Sequence, residues 1–224
     1  MILVAVDTST TSCSVALFSD EHLLAETTFT SGKTHSRHLM SMIQGLLGRC
    51  ECHVSDIDAI GVARGPGTFT GLRIGISTVK GLAAATRAQI VGVSSLAALA
   101  SPLMGGGQMV VAMIDARRGE VYHAHYRDDI EVAPVSVSSP EDAAEKLPAD
   151  AVLVGSGALL YTGFFNARCP HIRIADRTQH VIRAASVGRL AIARILKDDV
   201  DTIDALVPEY IRKSDAQIQL SGSC

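Results

Sequence analysis

The sequence predicts an α/β fold built from two related halves, and three features predict it. Ile2–Val6 is a continuous apolar run that ends in Asp7 and opens a meander of strands. Ile57–Val62 is a second such run, followed by the glycine-rich stretch Arg64–Gly75 and a long helical pattern. From Met109 the order strand, aspartate, hairpin returns at low identity, which points to a duplicated architecture with a boundary near residue 103.

A run that is apolar at every position is what a strand buried on both faces requires, and Ile2–Val6 meets that description. Asp7–Ser12 is a turn of small hydroxyl residues, Cys13–Phe18 a second strand and His22–Phe29 a third. After a loop at Ser31–Thr34, His35–Gly48 reads as a helix, because Leu39, Met42, Ile43 and Leu46 fall at i, i+3, i+4 and i+7. Four glycines and a proline lie within the twelve residues Arg64–Gly75, a backbone suited to tight turns and close approach. Strand, loop and helix in that order aim backbone N–H groups at the loop, which serves either an anion or tight helix packing.

The helix that follows, about Gly71–Thr86, has its charges Arg73, Lys80 and the adjoining Arg87 spaced seven apart. Leu72, Ile74, Ile76, Val79, Leu82 and alanines cover the rest, with Gly71 and Gly75 on one side. A helix apolar almost all round is expected to be covered twice, once by its own sheet and once by something else. Ile90–Val93 then reads as a strand, Ser94–Ala100 as a short helix and Pro102–Gln108 as a linker. In the second half, Met109–Ile114, Glu120–Tyr126 and Ala151–Val154 read as strands, and Pro140–Lys146 and Ser186–Lys197 as helices. The segment Pro208–Gln217 completes the chain.

At 224 residues with 47% hydrophobic content the chain holds ample material for a core. A formal net charge of −3 argues against strong autonomous nucleic-acid binding, which rests on neutralising phosphates. Five cysteines, an odd number, suit a reducing compartment, and Cys50-Glu51-Cys52 lacks the spacing of a zinc or redox site. The N-terminus reaches Asp7 too soon for a signal peptide, and no apolar run approaches the roughly 20 residues of a membrane span. The expectation is a cytoplasmic protein.

Asp7 and Asp115 are strand-end carboxylates of the kind that hold a metal and a nucleotide phosphate in actin-like and sugar-kinase-like folds. The Asp7 hairpin lacks the glycine by which a backbone approaches an anion, so a self-bonded polar turn is the plainer reading. Arg117 and Arg118 beside Asp115 point to a local ion pair. His35 and His38 stand at i, i+3 without an intervening glutamate or a third ligand, so they read as solvated or partner-facing. Neither Gly155-Ser156-Gly157 nor Ser94-Ser95 fits a nucleophile elbow.

Asp7–Leu17 (DTSTTSCSVAL), Arg64–Gly75 (RGPGTFTGLRIG), Asp115–Tyr122 (DARRGEVY) and Pro208–Arg212 (PEYIR) occur in this order, and together the chain resembles the bacterial TsaB (YeaZ) family from end to end. The resemblance implies the actin-like, sugar kinase-like (ASKHA) fold, a duplicated RNase H-like unit in two lobes with the second reduced. The lobes would be residues 1–103, carrying the partner-binding helices, and 104–224, the last segment packing back on the first lobe. It also implies a non-catalytic subunit, without cofactor or metal, of the complex that adds threonylcarbamoyl to N6 of adenosine 37 in tRNAs reading codons that begin with A. Its partners would be a TsaD-like transferase and a TsaE-like ATPase, with tRNA met indirectly and a homodimer formed when the chain is alone. Partners in the family meet through the first two helices. Here those offer His35, His38, Leu39, Met42, Ile43 and Leu46 on the first helix, and Leu72, Gly75, Ile76, Val79 and Leu82 on the second. The alternative is a small ATP-dependent phosphotransferase built on Asp7 and Asp115.

Overall fold

The computed structural model describes residues 1–30 and 35–212, with His35 defined through its backbone alone. The first sheet consists of β1 (Ile2–Asp7), β2 (Ser12–Ser19), β3 (His22–Thr30), β4 (Ile57–Gly65) and β5 (Gln89–Ser94), and its strand order is β3-β2-β1-β4-β5. β1 to β3 are an antiparallel meander, and β4 and β5 add in parallel through the helices α1 (His35–Arg49) and α2 (Phe69–Thr86). After α3 (Ser95–Ala100) the pattern repeats with β6 (Val110–Arg117), β7 (Glu120–Arg127), β8 (Ile130–Ser138), β9 (Val152–Val154) and β10 (Arg173–Ile174). Their order, β8-β7-β6-β9-β10, is that of the first sheet. The duplication read from the sequence is thus a duplicated topology.

The second unit is reduced in its helices, since α4 (Pro140–Glu145), α5 (Ser156–Leu160) and α6 (Thr162–Arg168) have six, five and seven residues against 15 and 18 in α1 and α2. α7 (Ala184–Ile195) then returns to the first sheet and packs on β1, β2 and β4. Together with α3 it lies between the sheets, in a core that joins Phe18, Val91, Leu96, Val110, Ala112 and Val187. The approach of α7 is close enough that a Cβ at Gly188 would meet the Phe18 ring at 2.3 Å. Its first N–H groups are satisfied across the fold: Ala184 N–H donates to Ser14 Oγ (3.0 Å) and Ala185 N–H to Glu26 Oε1 (2.9 Å). α1 and α2 cover the opposite face of the first sheet, and α4, α5 and α6 that of the second.

The sequence reading left out β8, β10, α5 and α6. β8 is exposed at Ile130–Val132 and Pro134 and only half-buried beyond, and β10 is only two residues long, so neither presents the apolar run that marks a buried strand. α2 begins at Phe69, not Gly71, because Thr68 is its N-cap and accepts a hydrogen bond from Gly71 N–H at 3.3 Å. It ends at Arg87, a left-handed residue (φ 62°) whose N–H bonds Ala83 O, so Arg87 leaves the charged stripe.

Candidate functional site

Asp7 ends β1 with its carboxyl fully buried. Oδ1 accepts from Ser9 N–H (3.1 Å) and Ser9 Oγ (2.6 Å), while Oδ2 has no partner. Desolvation pushes this acid up to about 7, and the two Ser9 hydrogen bonds pull only partly against it. The neighbouring Cys13 thiol is pushed up to about 12, first by burial and then by Asp7, so it is an inert core thiol. The self-bonded polar turn is what the structure contains.

The glycine-rich loop closes over this turn. Thr68 N–H donates to Ser9 O (2.7 Å) and Thr8 Oγ1 to Gly71 O (2.7 Å). A Cβ at Gly67 would stand 2.3 Å from Ser9 O, one at Gly71 2.0 Å from Thr8 O, and one at Gly75 2.5 Å from Thr8 Oγ1. These glycines therefore let α2 and its loop seat against the end of β1 within one lobe. Gly71 and Gly75 are buried and do not form a contact for another helix, which corrects that expectation.

Asp115, the equivalent carboxylate of the second lobe, is held by its own hairpin. Oδ1 accepts from Arg117 N–H at 2.8 Å and Oδ2 pairs with the Arg117 guanidinium at 3.1 Å. Its N–H donates to Ser156 Oγ. Between the lobes, Thr10, Thr11, Ser12, Ile114, Ser156 and His180 line a cleft of only about 40 Å³. Ligand pockets run to roughly 300–1,000 Å³, so this part of the cleft is small, while an open depression of about 320 Å³ lined by Glu26, Thr28, Thr178 and Arg183 adjoins it at Thr30 and Val181. His180 helps close it: Nδ1 accepts from Gly155 N–H (2.9 Å), which leaves Nε2–H to donate to Ala175 O (2.9 Å). Among the described residues no three His, Cys, Asp or Glu side chains converge.

The open surface lies on the far side of α1 and α2. The residues expected there turn out to be inside: Leu39, Ile43, Leu46, Leu72, Gly75, Ile76, Val79 and Leu82 are buried against their own sheet. Met42 and His38 are half-buried, His38 lying against Phe29, and the side chain of His35 is outside the described residues. The i, i+3, i+4 pattern marks the face that the sheet covers, and the opposite face is left open. That face shows Arg37, Met40, Phe69, Arg73, Ser77 and Ala84, with Ser36, Thr70 and Ile74 lining a shallow depression of about 390 Å³ between the helices. α2 is amphipathic, and its second side is not a second apolar face.

Phe69 and Tyr210, each more than two-fifths exposed, stack with ring centroids 5.3 Å apart at an interplanar angle of 23°. The Arg73 guanidinium lies 3.9 Å from the centre of the Phe69 ring and its Nε donates to Tyr210 Oη at 3.0 Å. Tyr210 arrives on a strap that joins the lobes. Glu209 N–H donates to Arg64 O (2.7 Å), and Arg212 bonds Ala116 O and pairs with Glu120 on the β6–β7 hairpin. The sequence reading noted Pro208–Arg212 but gave Tyr210 no role. Phe69 was placed ahead of the helix, although its i, i+4 spacing to Arg73 was the available signal.

A family model described as TsaD, tRNA N6-adenosine threonylcarbamoyltransferase, matches residues 23–220. The chain is 40% identical over 131 residues to the tRNA threonylcarbamoyladenosine biosynthesis protein TsaB of Escherichia coli, covering 58% of this chain and 56% of that protein. It is 34% identical over 184 residues to the Haemophilus influenzae protein of the same description, covering 73% and 75%. The matched stretch thus spans just over half of the first relative's length. The solved structure of YeaZ from Pseudomonas aeruginosa superposes with a TM-score of 0.81 at 32% identity, over 93% of this chain and 99% of that one. No helix among the described residues is long and apolar enough to cross a membrane.

Proposed function

The chain belongs to the TsaB (YeaZ) family, and we propose that it serves tRNA threonylcarbamoyladenosine biosynthesis as a non-catalytic subunit that docks a TsaD-like transferase on the outer face of α1 and α2. One observation carries this reading: the strand-end carboxylates Asp7 and Asp115 are tied up in their own turns, while Phe69 and Met40 stand open on the helices. Large side chains half-exposed beside a shallow depression supply the apolar anchors of an interface. A TsaE-like ATPase and tRNA would join through the transferase, in the cytoplasm, and the division at residues 103 and 104 would separate the docking lobe from its support.

Because Ile76 and Val79 are core residues, a charge placed there tests folding and not docking. The informative variant truncates the outer anchors. Met40→Ala with Phe69→Ala weakens co-purification with the cognate transferase at least about tenfold while circular dichroism stays unchanged. A folded double variant that pairs normally sinks the proposed face. Reconstituted tRNA threonylcarbamoylation that proceeds equally well without this chain sinks the subunit role. The phosphotransferase alternative requires Mg-ATP binding that is lost on Asp7→Ala, readable by calorimetry of the isolated chain.

A further inference from the structure

We propose that the outer edge of the second lobe, from the end of α6 through β10 to the start of α7, is an RNA-backbone contact whose arginines take tRNA phosphates directly. The inference rests on the role in tRNA modification proposed above and adds a contact that does not pass through the transferase. Between Arg168 and Arg183 four arginines stand against one carboxylate, Asp176, although the chain as a whole carries a formal charge of −3. β10 is the last strand of its sheet and is paired by β9 alone, so this edge lies at the surface. Arg168 closes α6, Arg173 opens β10 and Arg177 opens the short turn Arg177–Gln179, and all three are exposed. Among the described residues none of these three forms an ion pair, whereas Arg183 is paired with Glu26.

Arg173 Nη2 donates to Gln108 Oε1, and these two residues line, with Asp176 and Gln179, an open depression of about 430 Å³ beside the strand. Guanidinium and amide groups are donors for phosphate and ribose oxygens, and a guanidinium fork meets a phosphate in two hydrogen bonds. An acidic protein fits this edge less well. Protein interfaces are centred on apolar and aromatic anchors, and no large apolar side chain between Tyr161 and Ile195 is exposed. A nucleic-acid interface is more polar and far more positive. Three phosphate contacts on an acidic chain are too few for tight autonomous binding, in keeping with the net charge. They count once the chain sits beside a transferase that already holds the tRNA, because the second contact is then intramolecular.

The test titrates an unmodified transcript of a tRNA reading a codon that begins with A against the pair of this chain with its cognate transferase, between about 50 and 200 mM salt. The triple variant Arg168→Gln, Arg173→Gln, Arg177→Gln weakens binding at least about tenfold at the lower salt and reduces the log–log salt slope by about two to three. Co-purification with the transferase and thermal unfolding stay unchanged. Lysine at the same three positions keeps most of the affinity, because a point charge still answers a phosphate. Equal affinity and equal slope in the wild-type and glutamine pairs overturn the proposal. A lysine variant as weak as the glutamine one overturns it too, since charge would not be what matters. A glutamine variant that loses the transferase instead assigns the edge to an acidic protein and likewise sinks it. If the wild-type chain does not pair with the transferase at all, the subunit reading falls and the isolated chain decides this inference alone. Binding of the transcript on the order of 10–100 µM at the lower salt, lost in the glutamine variant, upholds it, and no difference between the two chains overturns it.

Discussion

In the first lobe the strand-end carboxylate Asp7 is fully buried and the loop after β4 is sealed over its turn. In the second lobe the corresponding Asp115 is about one-sixth exposed and held by Arg117 of its own hairpin. Both corners use the same device, a glycine that lets the chain leaving the fourth strand press on the backbone of the first. Gly67 and Gly71 meet Ser9 and Thr8, and Gly155, at φ 113°, meets Met113 O, where a Cβ would stand 2.2 Å away. What the two corners launch differs. The first sends out an 18-residue helix with Phe69 and Arg73 on its outer side, the second two short helices of which Phe165 is wholly buried. One topology thus yields a long helix with a furnished outer face in the first lobe, and a mere core cover where the helix is short.

The equivalence of the corners is broken most forcefully at the glycines. Gly71→Ala and Gly155→Ala each drive a methyl group into a carbonyl oxygen of fixed backbone, and each costs roughly 3 kcal/mol or more of stability in denaturant titration. Tolerance of either substitution would show that its loop moves away, and that the corner is not built as described.

The carboxylates differ next. The Asp7 value in the fold lies above its unfolded value of 3.8, so its contribution is complete below about pH 4 and is lost as the pH climbs through 7. The loss is on the order of a few kcal/mol, and Asp7→Asn removes it, so the variant gains on wild type as pH rises from 4 to 8. His123 acts in the opposite sense: burial, His125 and Lys146 press it down to about 4, so stability falls as pH drops from 6.5 through 4. Taking the difference between wild type and Asp7→Asn at each pH cancels that histidine contribution. Asp115→Asn costs under about 1 kcal/mol, because its ion pair is on the surface. A flat difference curve for Asp7→Asn would mean that its carboxyl is solvated.

The smallest effect sharpens the contrast within α2. Gly81 has nothing within 4 Å of its missing Cβ, so Gly81→Ala raises stability by about 1 kcal/mol through helix propensity alone. Loss of transferase binding in that variant would place Gly81 at a close helix contact with the partner.

Much of the fold was legible because continuous apolar runs and i, i+3, i+4 patterns report burial directly. β1, β2, β4, β6, α1 and the duplication all follow from them, while the self-bonded turn at Asp7 and the local ion pair at Asp115 were legible from the neighbouring residue types. The proposed docking face was legible only in its helices. Leu39, Ile43, Leu72, Ile76 and Val79 carried the strongest signal because they are the residues the sheet covers, and an outer face is by its nature the part with no pattern. Tyr210 was beyond reach, since 137 residues separate it from Arg73, its partner in the chain.

The amino-acid order by itself determined the strands and helices that carry apolar runs or helical patterns, that the unit is duplicated, and that Arg64–Gly75 demands close backbone approach. Tertiary structure decided what that approach is for, because a glycine declares room for a neighbour without naming it. The neighbour is Thr8 and Ser9 of the same lobe. With that contact made, the loop seals the end of β1 and turns the far side of α2, with Phe69, Arg73 and Tyr210, to the outside.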